Sequence, residues 1–234
     1  MDVTETFIRF WPKLLDGAMM TIWLVFASTL IGAVIALPAA IAKTSGNFLL
    51  STPVQVYISF FRGTPMLAQL FLVYYGAGQF REELMDANLW WFFKEPINCA
   101  ILTFALNTGA YQTESLRGGL MGVAAGEVEA ARAIGMSWLT MYRRIILPHA
   151  YRIAFPALGN EVILMIKASS IASTVTIFDI MNYTSEDYTQ NFDFFVYLLA
   201  GMAYLVMTTA FVNLWRMLER KLNPQWASMA IQGE

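Results

Sequence analysis

Uncharged runs long enough to cross a lipid bilayer alternate with short charged stretches along this chain. The first, residues 17–42, holds no charged side chain and exceeds the roughly 20 residues that about 30 Å of hydrocarbon requires. Lys43 follows at once as a candidate interfacial anchor. The second apolar stretch, residues 54–80, is interrupted by Arg62-Gly63-Thr64-Pro65, where glycine and proline together disfavour a continuous helix. Residues 79–96 mix six charged side chains from Arg81 to Glu95 with Trp90 and Trp91, the pattern of a solvent-side loop with an aromatic belt. A third span is predicted over 97–121, a polar loop over 122–148, a fourth span over 149–178 and a fifth over 194–216. The pattern predicts an all-α membrane protein of five transmembrane helices forming one domain, 1–234.

Composition agrees with lipid exposure, since 57% of the residues are hydrophobic and 14% charged, against about a quarter charged in soluble domains. The N-terminal residues carry Asp2, Glu5 and Asp16 beside Arg9 and Lys13, unlike a cleavable signal peptide, so the first span is expected to be retained. A net charge of −2 offers no basic patch for a phosphate backbone, and no nucleic-acid partner is expected. Cys99 has no second cysteine to pair with, and His149 has no neighbouring ligand for a metal. Cys99 is expected to be a small buried side chain and His149 an interfacial residue. The aromatic residues at 57, 74, 75, 90, 91 and 215 fit interfacial belts.

Lysine and arginine are enriched in cytoplasmic loops. With the C-terminus inside, Lys43, Arg117, Arg132, Arg143, Arg144, Arg152, Arg216, Arg220 and Lys221 fall on the cytoplasmic side, against Arg9, Lys13, Arg81 and Lys94 outside. The N-terminus is thus expected outside, the 122–148 loop in the cytoplasm, and the acidic stretch from Asp179 to Asp193 in an outer loop.

The cytoplasmic loop reads Glu129-Ala130-Ala131, three residues, Gly135, nine residues, then Ile145, one residue, Leu147 and Pro148. Good helix formers, with Glu127 and Glu129 in the first turn, predict a short helix over 127–143, and its small residues leave a surface that another protein can approach closely. Pro148 is placed to open the next span. Composition alone favours reading the segment as a solvated connecting helix.

This spacing resembles the EAA loop of ABC importer permeases. Phe61-Arg62-Gly63-Thr64-Pro65, the segment from Asn107 to Glu114 and Asn160-Glu161-Val162-Ile163-Leu164-Met165 are similar to the polar amino-acid permeases, above all the subunits of histidine, arginine–ornithine and opine systems. The resemblance implies the type I importer permease fold, with a cytoplasmic coupling helix whose Glu129, Ala130, Ala131, Gly135, Ile145, Leu147 and Pro148 meet a cytoplasmic ABC ATPase dimer. It further implies a second homologous permease subunit, a periplasmic or extracellular substrate-binding protein, and a place in a bacterial inner membrane among its lipids. No Gly-x-x-x-x-Gly-Lys-Ser/Thr loop occurs in the sequence. No cofactor, metal or catalytic residue is therefore expected in this chain, ATP and Mg being bound by the partner ATPase.

Ionisable groups inside spans cost about 2.5–3.5 kcal/mol each on insertion scales and usually face a cavity or a partner. Arg62, Glu114, Glu161 and Lys167 are the candidates, and Lys167-Ala168-Ser169-Ser170 is a second expected interruption. Two interrupted spans point to a translocation site near mid-membrane. An amino acid presents a carboxylate and an ammonium. Glu161 is the candidate partner of the cationic group, with Arg62, Lys167, Thr64 or Ser169 for the carboxylate, and Gln69, Asn107, Tyr111, Glu114 and Asn160 along the path. The competing expectation is a strut, in which Arg62 or Lys167 pairs with Glu114 or Glu161, or in which Arg62 merely snorkels. A secondary transporter or channel relaying ions through Glu161 and Lys167 is the alternative function, though it leaves the 129–148 spacing without a purpose.

Overall fold

The computed structural model describes residues 3–222, and all regular structure among them is helical. α1 (Val3–Thr44) is 42 residues long, about 63 Å at 1.5 Å per residue and twice the thickness of the hydrocarbon. The helix predicted from residue 17 thus begins fourteen residues sooner. Its charged first turns persist because their partners are distant in sequence. Arg9 donates to Asp187 at 2.9 Å, Lys13 lies 3.6 Å from the same carboxylate, and the Thr6 hydroxyl donates to Asp193. The Thr6 hydroxyl and the Phe195 N–H hold the Asp193 carboxyl below the usual carboxylate range.

The predicted second span is not straight. α2 (Phe48–Gly63) and α3 (Met66–Gln79) meet at 103° across Thr64 and Pro65. Each arm, of 16 and 14 residues, is about 24 Å or less, too short to cross alone. The 79–96 loop contains two short helices, α4 (Arg81–Asp86) and α5 (Trp90–Phe93).

α6 (Pro96–Met121) is the centre of the bundle, packed along α1 on one side and against the fourth span on the other. Thr103, Asn107, Thr108, Gln112 and Thr113 are all buried in it. A helix surrounded by protein needs no apolar face for lipid, which is why its sequence is the least hydrophobic of the spans. Glycines allow the close approach. A Cβ on Gly32 of α1 would stand 2.7 Å from the Thr108 methyl, and one on Gly119 would stand 2.3 Å from the carbonyl oxygen of Ala150.

The segment predicted as one helix over 127–143 divides into α7 (Ala125–Ala133) and α8 (Trp138–Met141). Gly135, at φ +76°, makes the turn between them, a conformation that glycine adopts without a Cβ penalty. Pro148 stands in the first turn of the next helix, as expected, but that helix is continuous with the one before it. Helical backbone runs from Trp138 to Val175, widened to a π turn over Tyr142–Ile146 before α9 (Leu147–Ala168). A wide turn accommodates a residue that has no N–H to donate.

The interruption expected at Lys167–Ser170 is a tightening rather than a break. A 3-10 helix covers Ser169–Val175, and the hydroxyls of Ser169, Ser170, Ser173 and Thr174 each donate to the carbonyl three residues back. The helix ends at Thr176, in the left-handed region at φ 64°. The acidic stretch read as a loop is α10 (Ile180–Asn191), capped by Asp179, whose carboxylate accepts from the Asn182 N–H at 2.8 Å. α11 (Phe195–Leu222) closes the bundle. α10 packs on the N-terminal half of α1, while α7 lies at the opposite end, beside the start of α9.

Adjacent glycines provide an internal control on the α6–α9 contact. Gly119→Ala should destabilise the purified subunit by about 1–3 kcal/mol through overpacking. Gly118→Ala, whose methyl meets open space, should leave it unchanged or raise it by up to about 1 kcal/mol. Thermal unfolding in detergent reads both, and equal effects would contradict the contact.

Candidate functional site

The bend between α2 and α3 leaves carbonyl groups without helical partners, and two side chains of opposite elements take them up. Gln69, on α3 and 3% exposed, donates to the Phe61 carbonyl at 3.0 Å, the Thr64 carbonyl at 3.1 Å and the Thr64 hydroxyl at 2.7 Å. Asn107, on α6, donates to the same Phe61 carbonyl and to the Gln69 side-chain oxygen, both at 3.0 Å. Tyr57 adds a bond from its hydroxyl to the Leu106 carbonyl at 2.6 Å, which ties α2 to α6. Irregular backbone at membrane depth is tolerated only where protein or water surrounds it. Here protein does.

Beside this bracket lies a half-open cavity of about 340 Å³ between the bend, α6 and α9. Ligand pockets begin at about 300 Å³. Thr64, Asn107, Tyr111 and Glu161, all expected on the path, come together on its wall with Met66 and Met165. Glu161 is its carboxylate. It makes no hydrogen bond and no close ion pair with any described residue, and the Arg62 guanidinium acts on it through space. The Tyr111 hydroxyl makes no hydrogen bond among the described residues, so it stands as an available donor.

The other expected path residues lie elsewhere. Gln69 sits under the bend as a brace, and Ser169 is buried with its hydroxyl committed to the Ile166 carbonyl. Asn160 and Lys167 are on exposed faces of α9, off the cavity wall. Glu114 forms a second cluster one helical turn from Tyr111. It accepts from Lys43 and, at 3.0 and 2.9 Å, from two nitrogens of Arg117. Arg62 approaches the same carboxylate at 4.0 Å while its guanidinium covers the Tyr111 ring at 5.0 Å. Lys43, expected only as an anchor, is thus an ion-pair partner of Glu114. Nothing local signalled that pairing, because 71 residues separate the two.

A larger groove of about 600 Å³ runs between α1, α9 and α11. Its wall is almost wholly apolar, formed by residues such as Phe26, Val162, Phe211 and Trp215 with Thr29 among them, and it carries no charged group. Trp215, expected in an interfacial belt, donates from its indole to the Phe155 carbonyl at 3.1 Å and stacks on the Phe155 ring.

At the α7 end, Glu129 and Ala130 are exposed, whereas Ala131 is 2% exposed and packs with Met141 and Ile146. Ile145 and Leu147 are half-buried and Pro148 is exposed. Ile134, Trp138 and Leu139, which the sequence did not single out, are 73%, 60% and 70% exposed. With Ala130 they give α7 and α8 an apolar outer surface. His149, read as a lone interfacial residue, contacts the Glu127 carboxylate and so ties α7 to the start of α9.

A helix bundle built round one bent span, with a polar cavity at the bend, is the architecture of a membrane permease. The chain belongs to the family of binding-protein-dependent transport system inner membrane components, whose model matches residues 28–224. It is 43% identical over 225 residues to the nopaline transport system permease protein NocM of Agrobacterium fabrum, covering 96% of this chain and 93% of that protein. It is 37% identical over 227 residues to the histidine/lysine/arginine/ornithine transport system permease protein HisM of Escherichia coli K12, covering 93% and 94%. Among solved structures, an amino acid ABC transporter crystallised with histidines superposes with a TM-score of 0.83 at 31% identity, over 94% of this chain and 99% of that one. The MetNI methionine ABC transporter shares the fold alone, with a TM-score of 0.75 at 17% identity over 92% and 98%. The all-helical permease fold expected from the sequence is thereby established.

Removing the bracket should open the bend. Gln69→Leu leaves the Thr64 carbonyl unpaired and Asn107→Leu the side-chain oxygen of Gln69, at a cost of about 1–3 kcal/mol each, and either leaves the Phe61 carbonyl with one donor in place of two. Hydrogen exchange of backbone amides near 61–69 should rise at least severalfold in both, and wild-type protection would show that the bracket does not hold the bend.

Proposed function

We propose that this chain is the permease subunit of an ATP-binding-cassette importer for amino acids or their derivatives, most fittingly those with a cationic group, such as basic amino acids and opines. The single observation that carries the cargo class is Glu161, a half-buried carboxylate with no close counter-charge on the wall of a cavity of mixed polar and apolar lining at membrane depth. A cationic group supplies what that carboxylate lacks. The Tyr111 hydroxyl serves the carboxylate end of the cargo, whereas the Thr64 hydroxyl on the same wall donates to the Phe60 carbonyl at 2.7 Å, and Asn107 faces the same space while bracing the bend. The names of the similar nopaline and histidine/lysine/arginine/ornithine permeases support the class.

The N-terminus lies outside and the α7 end faces the cytoplasm, as the distribution of lysine and arginine favours. The apolar surface of α7 and α8 then seats in a cytoplasmic ATPase dimer, which binds ATP and Mg, and the stroke reaches α9 through Ala131, Met141 and Ile146. No nucleotide chemistry occurs in this chain. A second, related permease subunit completes the pore, an external binding protein delivers the cargo, and the remaining outer surface meets lipid in the inner membrane. An ion-coupled carrier would need none of the exposed apolar side chains on α7 and α8.

Glu161→Gln, in a reconstituted complex that still assembles with its ATPase, should lower uptake of a cationic amino acid by at least tenfold. Unchanged uptake and selectivity would remove Glu161 from the path.

A further inference from the structure

The groove of about 600 Å³ between α1, α9 and α11 lies on the side of α9 turned away from the cargo cavity. Phe155, Gly159, Val162 and Ile166 recur every three or four residues and so form one stripe of α9. Val162 and Ile166 are the back wall of the groove. At the α7 end it is closed by Trp215, whose indole stacks on the Phe155 ring at 4.3 Å and lies over Gly159. Arg152, three residues before Phe155 on the same stripe, is exposed. The α11 wall ends in the same way. Val206 and Ala210 line the groove, Leu214 and Leu218 continue that face as exposed apolar side chains, and Lys221 follows them on it, also exposed. Lys221 stands six residues beyond Trp215, about 9 Å along the axis. Two helices that wall one apolar groove therefore each end in a cation at the same end of the bundle.

We infer that the groove holds one acyl chain of an anionic phospholipid from the leaflet at the α7 end, and that Arg152 and Lys221 bind the phosphate of its headgroup. From Val206 to Lys221 the α11 face runs about 22 Å, which sets the cations at the membrane surface and the groove within hydrocarbon about 30 Å thick. Trp215 stands between the two, where amphipathic rings settle. Thr29 supplies the one hydroxyl on the wall, so the space suits methylenes and not a polar solute. Basic pockets between membrane helices are where anionic headgroups bind. A helix of the second permease subunit is the rival occupant, and the opposite side of α9 suits it better. Asn160 and Lys167 stand there, exposed at membrane depth, and polar groups at that depth need a protein or water neighbour in place of lipid. An acyl chain in the groove backs α9 behind Glu161 without entering the cargo path, so the lipid site holds whether or not the cavity takes cargo.

Native mass spectrometry of the purified permease–ATPase complex, stripped of lipid and titrated with dioleoyl-phosphatidylglycerol or dioleoyl-phosphatidylcholine, tests this. The wild type should take up one tight phosphatidylglycerol per copy of this chain, at least about tenfold more tightly than phosphatidylcholine. Ala210→Phe, which fills the groove from its exposed α11 wall, should take up one fewer. Ala33→Phe fills the groove from α1 and carries the same expectation should the first variant not assemble. Arg152→Gln and Lys221→Gln should each weaken the tight lipid about fivefold, whereas Arg220→Gln, a cation on the far side of α11, should leave it unchanged. An unchanged lipid count in the groove-filling variants, equal affinity for the two lipids, or equal effects of Lys221→Gln and Arg220→Gln overturns the inference. Loss of the second permease subunit from a groove-filled complex overturns it as well, since protein would then be the occupant.

Discussion

The structure depends on one constraint, that backbone leaving helical geometry inside a membrane must find its hydrogen bonds within the protein. At Thr64 and Pro65 the chain turns through 103°, and the carboxamide side chains of Gln69 and Asn107 replace the bonds that are lost. Gln69 and Asn107 share the Phe61 carbonyl and join each other. Asn107 belongs to α6, the helix against which α1 and α9 also pack, so the bend is fixed relative to the whole bundle. The polar character of α6 follows from the same requirement. It stabilises the bend, and the space that the bend clears becomes the cavity.

Charges at the two ends of the bundle are arranged differently from those beside the cavity. At the α10 end, Arg9 and Lys13 on the extension of α1 meet Asp187 and Asp193, which locks that extension over α10 and the start of α11. Beside the cavity, Lys43, Arg62 and Arg117 surround Glu114 with more positive charge than it can neutralise. The first arrangement is closed. The second carries a surplus of positive charge, while Glu161 on the cavity wall makes no close ion pair with any described residue. The ion-paired strut and the candidate site are therefore adjacent clusters.

Much of this was legible in the sequence, for definite reasons. Lipid imposes a minimum length on uncharged runs, so the five long helical regions were visible, and Gly63 with Pro65 marked the bend because neither supports an ordinary helix there. What stayed hidden was set by residues far apart in sequence. The first turns of α1 looked too charged to continue the helix, since their partners lie almost 180 residues away. α10 read as a loop because the partners of its Asp187, Arg9 and Lys13, stand on α1. Pro148 did mark the first turn of α9, but the π turn that joins α9 to the helix before it cannot be anticipated from one proline. For the site, Thr64, Asn107, Tyr111 and Glu161 were placed on one path and do meet. Asn160 and Lys167 were grouped with Glu161 by proximity in sequence, but offsets of one and six residues turn them about 100° and 240° round the helix axis, and both lie off the wall.

The central claim, that cargo occupies the cavity at the bend, is open to direct chemical test because Cys99 is fully buried and gives a silent background. Thr64→Cys and Leu164→Cys place thiols on the cavity wall, and Phe26→Cys places one in the apolar groove. Labelling of the assembled complex with a polar thiol reagent, with and without a cationic amino acid, compares the two spaces. Cargo should slow modification at 64 and 164 by at least fivefold and leave position 26 unaffected. Equal modification rates at 64 and 164 with and without cargo, at concentrations that sustain transport, would place the path elsewhere.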